Sequence, residues 1–154
     1  MKSFANLIDD VLPEITEIFP WDLDEKLKSN PNITLLDIRE PYEFEVMRIK
    51  GSINVPRGVL ESACDWGFEE TVPEIACCRD REVVVICRSG NRSVFAAEVM
   101  QQMGYKNVVS LKTGMRGWSD YEQPMVDKDN NEIDEDNAIE FFTARLRPEQ
   151  MSPQ

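Results

Sequence analysis

A cysteine stands at the end of a β-branched run, Val83-Val84-Val85-Ile86-Cys87, with Arg88, Ser89, Gly90, Asn91 and Arg92 directly behind it. Such a run reads as a strand buried on both faces of a parallel sheet. In sheets of that kind ligands meet the protein beyond the carboxyl ends of the strands, so Cys87 sits where a nucleophile is useful. Residues 87–92 can curl so that backbone N–H groups point inward, with Gly90 supplying torsional freedom and the following helix adding positive potential. A nest of this type holds an anion and favours negative charge on a sulfur placed inside it. The plainer reading is an inert core thiol at a strand end. Two arginines and a glycine crowded after the cysteine argue against it.

Other chemistries are narrowed by what the chain lacks. It contains no histidine, which removes the Ser-His-Asp and Cys-His arrangements and the commonest zinc ligand. Cys64, Cys77 and Cys78 show no paired C-x-x-C spacing, so no metal is expected; they read as free packing thiols, with a resolving or relay role the minor alternative. Asp127-x-Asp129-x-Asn131 begins like a calcium loop, but Glu132 stands where glycine is needed and Ala138 where a bidentate glutamate is needed. It reads as a solvated turn.

The net charge of −12, from 29 acidic and 17 basic residues, repels nucleic acid over most of the surface and keeps the protein soluble. Asp9, Asp10, Glu14 and Glu17 interrupt any signal-peptide core, and no long apolar run follows. The expectation is a cytoplasmic protein with no membrane contact, and 154 residues suit one ordinary domain.

The elements that must position the cysteine follow from spacing. Residues 1–18 read as a helical lead-in, with Phe4, Leu7, Ile8, Val11, Leu12 and Ile15 in helical rhythm broken by Pro13. Asp22 or Asp24 caps a short helix through Leu27, and residues 33–38 form a strand ending on Asp37, Arg39 and Glu40. A short helix after Pro41 presents Phe44 and Met47, and residues 53–55 make a brief strand. Residues 57–80 read as two short helices shaping one wall of a site. The strand at 83–86 leads through the cysteine loop to a helix over 93–103, a strand over 107–111, and a short helix through Trp118. Trp66, Phe68, Trp118 and Tyr121 read as core or rim packing. Beyond residue 127, Ile139, Phe142 and Leu146 can dock a last helix. Strands alternating with helices imply an α/β fold with a parallel sheet covered on both faces.

The segments Leu35-Leu36-Asp37-Ile38-Arg39 with Glu43-Phe44, residues 49–56, the loop 87–93 and residues 114–118 occur in an order that resembles the rhodanese family over roughly residues 20–124. The resemblance implies a rhodanese-like three-layer sandwich with a five-stranded parallel sheet flanked by helices. It divides the chain into a lead-in (1–18), a rhodanese domain (19–124) and a C-terminal extension packing on it (125–154). It also implies Cys87 as the sulfur-bearing nucleophile, within a loop of Arg88, Ser89, Gly90, Asn91 and Arg92. Arg39 and Arg88 are assigned to neutralising an anionic donor such as thiosulfate, Arg92 to bracing the loop, and Asp37 and Glu43 to orienting Arg39. The simpler view makes residues 37, 39 and 43 helix-capping ion pairs. The chain departs from the family in carrying Met47-Arg48 where members commonly have Gly-His.

The expected activity is sulfur transfer through a Cys87 persulfide to a thiophilic acceptor such as cyanide, a thiol or a sulfur-accepting protein, with no cofactor. Two other readings compete. One is an idle partner-binding module. The other is a phosphatase or arsenate reductase, whose loops resemble this one but are a residue longer; four residues separate Cys87 from Arg92.

Overall fold

The computed structural model describes residues 1–153. From the N-terminus the chain forms α1 (Phe4–Val11), β1 (Glu17–Ile18), α2 (Pro20–Ser29), β2 (Thr34–Asp37), α3 (Pro41–Val46) and β3 (Ile53–Asn54). It continues through α4 (Leu60–Ala63), α5 (Pro73–Ala76), β4 (Glu82–Ile86), α6 (Arg92–Gln102), β5 (Asn107–Leu111), α7 (Gly114–Asp120) and α8 (Glu135–Phe142). All strand pairings are parallel, in the order β1-β5-β4-β2-β3. The β-branched run is thus the central strand, as its composition predicts.

Alternation along β4 shows why two helical layers are needed. Val83 and Val85 join one core, with Leu60 and Ala63 of α4, Ile75 of α5, and Ala96, Ala97 and Met100 of α6. Val84 and Ile86 join the opposite core, with Leu23 of α2, Met47, Met115 and Trp118 of α7, and Ala138 and Phe142 of α8. The α/β sandwich with five parallel strands is the expected fold. Register places the functional end, because Asp37 aligns with Ile86 across β2 and β4, and Ser110 with Val85 across β4 and β5. The carboxyl ends of three strands therefore meet at Cys87.

Several local expectations change. The lead-in is not wholly helical: Glu17 and Ile18 pair with Ser110 and Leu111 to make an edge strand, so a boundary after residue 18 would cut a strand from the sheet. Two residues are too few to show a period. The second helix starts at Pro20 without a side-chain cap, and Asp22 falls within its first turn, since a proline at the first helical position is already set for the helix. In the tail, Ala138 and Phe142 are buried while Ile139 and Leu146 are exposed. Only one of the three apolar residues expected to dock does so, and Leu146 lies past the helix. The Asp127 segment is a turn, its carboxylate accepting from the N–H groups of Asp129 and Asn131. Among the described residues no helix is long and apolar enough to cross a membrane.

Candidate active site

Cys87 leaves β4 and its side chain is buried, 1% exposed. Its Sγ accepts the backbone N–H of Gly90 at 3.1 Å and of Ser93 at 3.4 Å, and lies 3.3 Å from Ser93 Oγ. The loop thus turns its N–H groups onto the sulfur, opposite to the surroundings of an inert apolar thiol.

The curl is fixed from outside by the turn between β5 and α7. Met115 N–H donates to the Cys87 carbonyl and Arg116 N–H to the Arg88 carbonyl, both at 2.9 Å. The backbones approach so closely that a Cβ on Gly90 would come within 2.8 Å of Thr113 N, and one on Gly114 within 2.7 Å of the Arg88 carbonyl carbon. Both glycines also have positive φ, +84° and +59°, a region that side chains resist.

Charge is arranged in two clamps. Arg92, at the start of α6, holds Glu43 of α3 through two 3.0 Å hydrogen bonds. Burial pushes the Glu43 carboxyl up, but the Arg92 hydrogen bond, the Glu40 backbone N–H and the charges of Arg92 and Arg39 outweigh it and hold the group below its usual value. Arg92 is correspondingly raised, mainly by its bond to Glu43. The second clamp is fully buried: Arg39 grips Asp37 through Nε and Nη2 and donates from Nη2 to the Met47 carbonyl at 2.8 Å.

This geometry corrects the assignments for residues 39 and 43. Arg39 is 0% exposed; its Nη1 lacks a partner among the described residues but has no access to solvent. It ties the end of β2 to the segment after α3 and cannot meet an anion from outside. Glu43 engages Arg92 rather than orienting Arg39, because helix α3 turns it toward the cysteine loop. Asp37 does hold Arg39. Arg92 links the start of α6 to α3 through Glu43. The bystander cysteines also differ from expectation: Cys77 and Cys78, adjacent in the turn after α5, are joined as a disulfide, whereas Cys64 is a free, buried thiol pushed up by burial. No group of three or more His, Cys, Asp or Glu side chains among the described residues is placed to hold a metal ion.

A family model of the rhodanese-like domain matches residues 20–121. The chain belongs to the rhodanese family. It is 30% identical over 112 residues to a sulfurtransferase from Allochromatium vinosum, covering 73% of this chain and 95% of that one. It is 33% identical over 105 residues to a Bacillus subtilis protein named as a sulfur carrier, covering 68% of this chain but only 51% of the relative. Among solved structures, a protein of unknown function from Rhodopseudomonas palustris, described with tyrosine phosphatase as a candidate activity, superposes with a TM-score of 0.73 at 29% identity. That match covers 80% of this chain and 94% of the other.

Part of the candidate site lies outside the matched stretch. Arg88 donates to the Phe142 carbonyl at the end of α8, at 3.3 Å. Beside it opens a pocket of 610 Å³ lined by Val46, Arg88, Asn137, Glu140, Phe141 and Arg145 among others. Sequence reading found Arg88 but not this wall, since α8 is brought to it from more than fifty positions away. It also left Ser110 aside. The signal was available: a lone serine in the otherwise apolar stretch Val108-Val109-Ser110-Leu111, fully buried in the structure.

Proposed function

We propose that this rhodanese moves sulfane sulfur from an anionic donor such as thiosulfate to a thiophilic acceptor, such as cyanide, a thiol or a sulfur-accepting protein, through a persulfide on Cys87. The observation that carries the reading is the set of N–H groups and the hydroxyl converging on Cys87 Sγ. Family membership and relatives named as a sulfurtransferase and a sulfur carrier support sulfur transfer in general.

In the first half-reaction the Cys87 thiolate attacks the outer sulfur of thiosulfate. The sulfur–sulfur bond breaks with its electron pair leaving on sulfite, and the transferred sulfur ends as Cys87–S–S⁻. In the second, an acceptor nucleophile attacks that terminal sulfur and Cys87 leaves as a thiolate. Loop N–H groups carry the negative charge throughout, so neither metal nor organic cofactor enters the scheme. Arg88, beside the pocket, is the cation that meets donor or acceptor; Arg92 is committed to Glu43. The same scheme suits a cytoplasmic protein, where acceptor thiols are abundant.

The description of the Rhodopseudomonas structure favours a phosphatase. Against it stand the four-residue spacing between Cys87 and Arg92 and the guanidinium of Arg92, whose two terminal nitrogens are taken by Glu43 instead of facing the loop's interior. A partner-binding module without catalysis would have no use for donors aimed at a sulfur. The test is intact-mass and peptide mapping after incubation with thiosulfate: a gain of about 32 Da on the Cys87 peptide, removed by a cyanide chase. Absence of the adduct with both thiosulfate and a small persulfide, together with turnover of a phosphate ester, would sink the proposal.

A further inference from the structure

Behind the cysteine loop, the Ser93 hydroxyl that meets the sulfur is paired with a second one, Ser110. Ser93 Oγ and Ser110 Oγ are 2.7 Å apart, both residues are 0% exposed, and Ser93 Oγ is also 3.3 Å from Cys87 Sγ. Ser110 is on β5, and by alternation it points, with Val108, into the core beneath α6. A buried hydroxyl costs free energy unless it is bonded, and Ser110 Oγ is bonded to Ser93. The three atoms form a chain of contacts from β5 to the sulfur.

A hydroxyl has one proton, so the direction of this chain depends on the sulfur. When Cys87 carries negative charge, Ser93 must donate to Sγ, and its lone pairs are then free to accept from Ser110. Accepting that bond polarises the Ser93 O–H and fixes its rotor toward sulfur. We infer that Ser110 is a positioning residue for sulfur transfer, holding the Ser93 proton on Cys87 Sγ so that it stabilises the charge that appears there as the persulfide gives up its sulfur. This inference rests on the persulfide reading of Cys87 for its role in transfer, though the arrangement of hydroxyls stands independently of it.

The two half-reactions use Sγ in opposite senses. When Cys87 attacks, a hydrogen bond to the thiolate stabilises the ground state and blunts the nucleophile. When Cys87 departs, the same bond stabilises the leaving group as its charge develops. Removal of the Ser110 hydroxyl should therefore divide the half-reactions, which loosened packing would not do. Among charged groups, Arg88 and the Arg92–Glu43 pair flank the loop, and none of them is touched by a change at Ser110.

The experiment compares the full chain with Ser110→Ala, Ser93→Ala and the double variant, each checked for folding by circular dichroism. One arm measures the rate of Cys87 alkylation by iodoacetamide against pH. The other loads the persulfide and follows its discharge to a thiol in single turnover. For Ser110→Ala discharge should slow about three- to tenfold, as expected for weakening one bond to a charged group. Alkylation on the high-pH plateau should be unchanged or faster, and the midpoint of its pH profile should move upward. In the Ser93→Ala background Ser110→Ala should have no further effect, while Ser110→Thr, which keeps the hydroxyl, should restore discharge. Equal slowing of both arms, an unmoved midpoint, or additive effects in the double variant would overturn the inference. Failure of the wild type to load sulfur would overturn the persulfide reading instead, and the alkylation arm would still decide the role of Ser110.

Discussion

Cys87 and Cys64 belong to the same hydrophobic cluster and are equally buried, yet they have opposite environments. Cys64 is surrounded by packing atoms, and burial raises its thiol above the ordinary value. Cys87 is enclosed just as tightly, but by a curled backbone whose N–H groups end on its sulfur. Depth does not make a nucleophile; the direction of the nearest dipoles does. In this fold that direction is set by a turn on another strand, which presses Gly114 against the cysteine loop.

The contrast is broken most completely at the sulfur itself. Cys87→Ser should abolish persulfide formation and turnover while leaving thermal stability near that of the wild type, whereas Cys64→Ser should keep most activity; equal loss in both would restore a relay between the two thiols. Gly114→Ala comes next. A side chain there meets the Arg88 carbonyl, and strain of about 1–3 kcal/mol should lower both melting temperature and transfer rate, the latter by roughly tenfold or more. A variant with unchanged kinetics would show that the turn does not set the loop.

Glu43→Gln tests the clamp with Arg92, in which a buried carboxylate meets a partly exposed guanidinium. Because the folded carboxyl is held below 4.5, its ionisation stabilises the native state fully above that value, and this contribution is lost as pH falls through the depressed folded value. Melting temperatures between about pH 6 and pH 3 should therefore fall less steeply for Glu43→Gln, with a modest loss of transfer at neutral pH. The smallest effect is expected at the pocket wall: Arg145, paired only at the surface with Glu140, should on change to alanine raise KM for an anionic thiol by a few-fold and leave kcat alone, as for loss of about 0.5–1 kcal/mol of exposed charge.

The parts of this site legible in the sequence were those whose information is local. Val83 to Cys87 announces a buried strand and the cysteine that ends it because β-branched residues are contiguous there, and Gly90 and Arg92 lie within reach of the same loop. Partner choice was hidden wherever it is non-local. Glu43 meets Arg92 across 49 positions, so its neighbour in sequence, Arg39, looked the better partner. Arg39 was assigned to meeting an anionic donor, and only the placement of Asp37 two residues earlier, at the end of an inner strand, hinted at a buried pair. The edge strand Glu17–Ile18 had no periodicity to display, and the disulfide between Cys77 and Cys78 depends on the turn after α5 rather than on spacing.

Both outermost strands of the sheet, Glu17–Ile18 and Ile53–Asn54, are only two residues long. A free strand edge recruits other chains in proportion to the unpaired backbone groups it offers in a row. The apolar run that carries Cys87 has the composition that favours intermolecular association, and its place as the middle strand, with two strands on either side, keeps it away from any edge. The brevity of the rim therefore guards a concentrated solution of this protein against fibre growth, and lengthening either rim strand should cost colloidal stability before it costs catalysis.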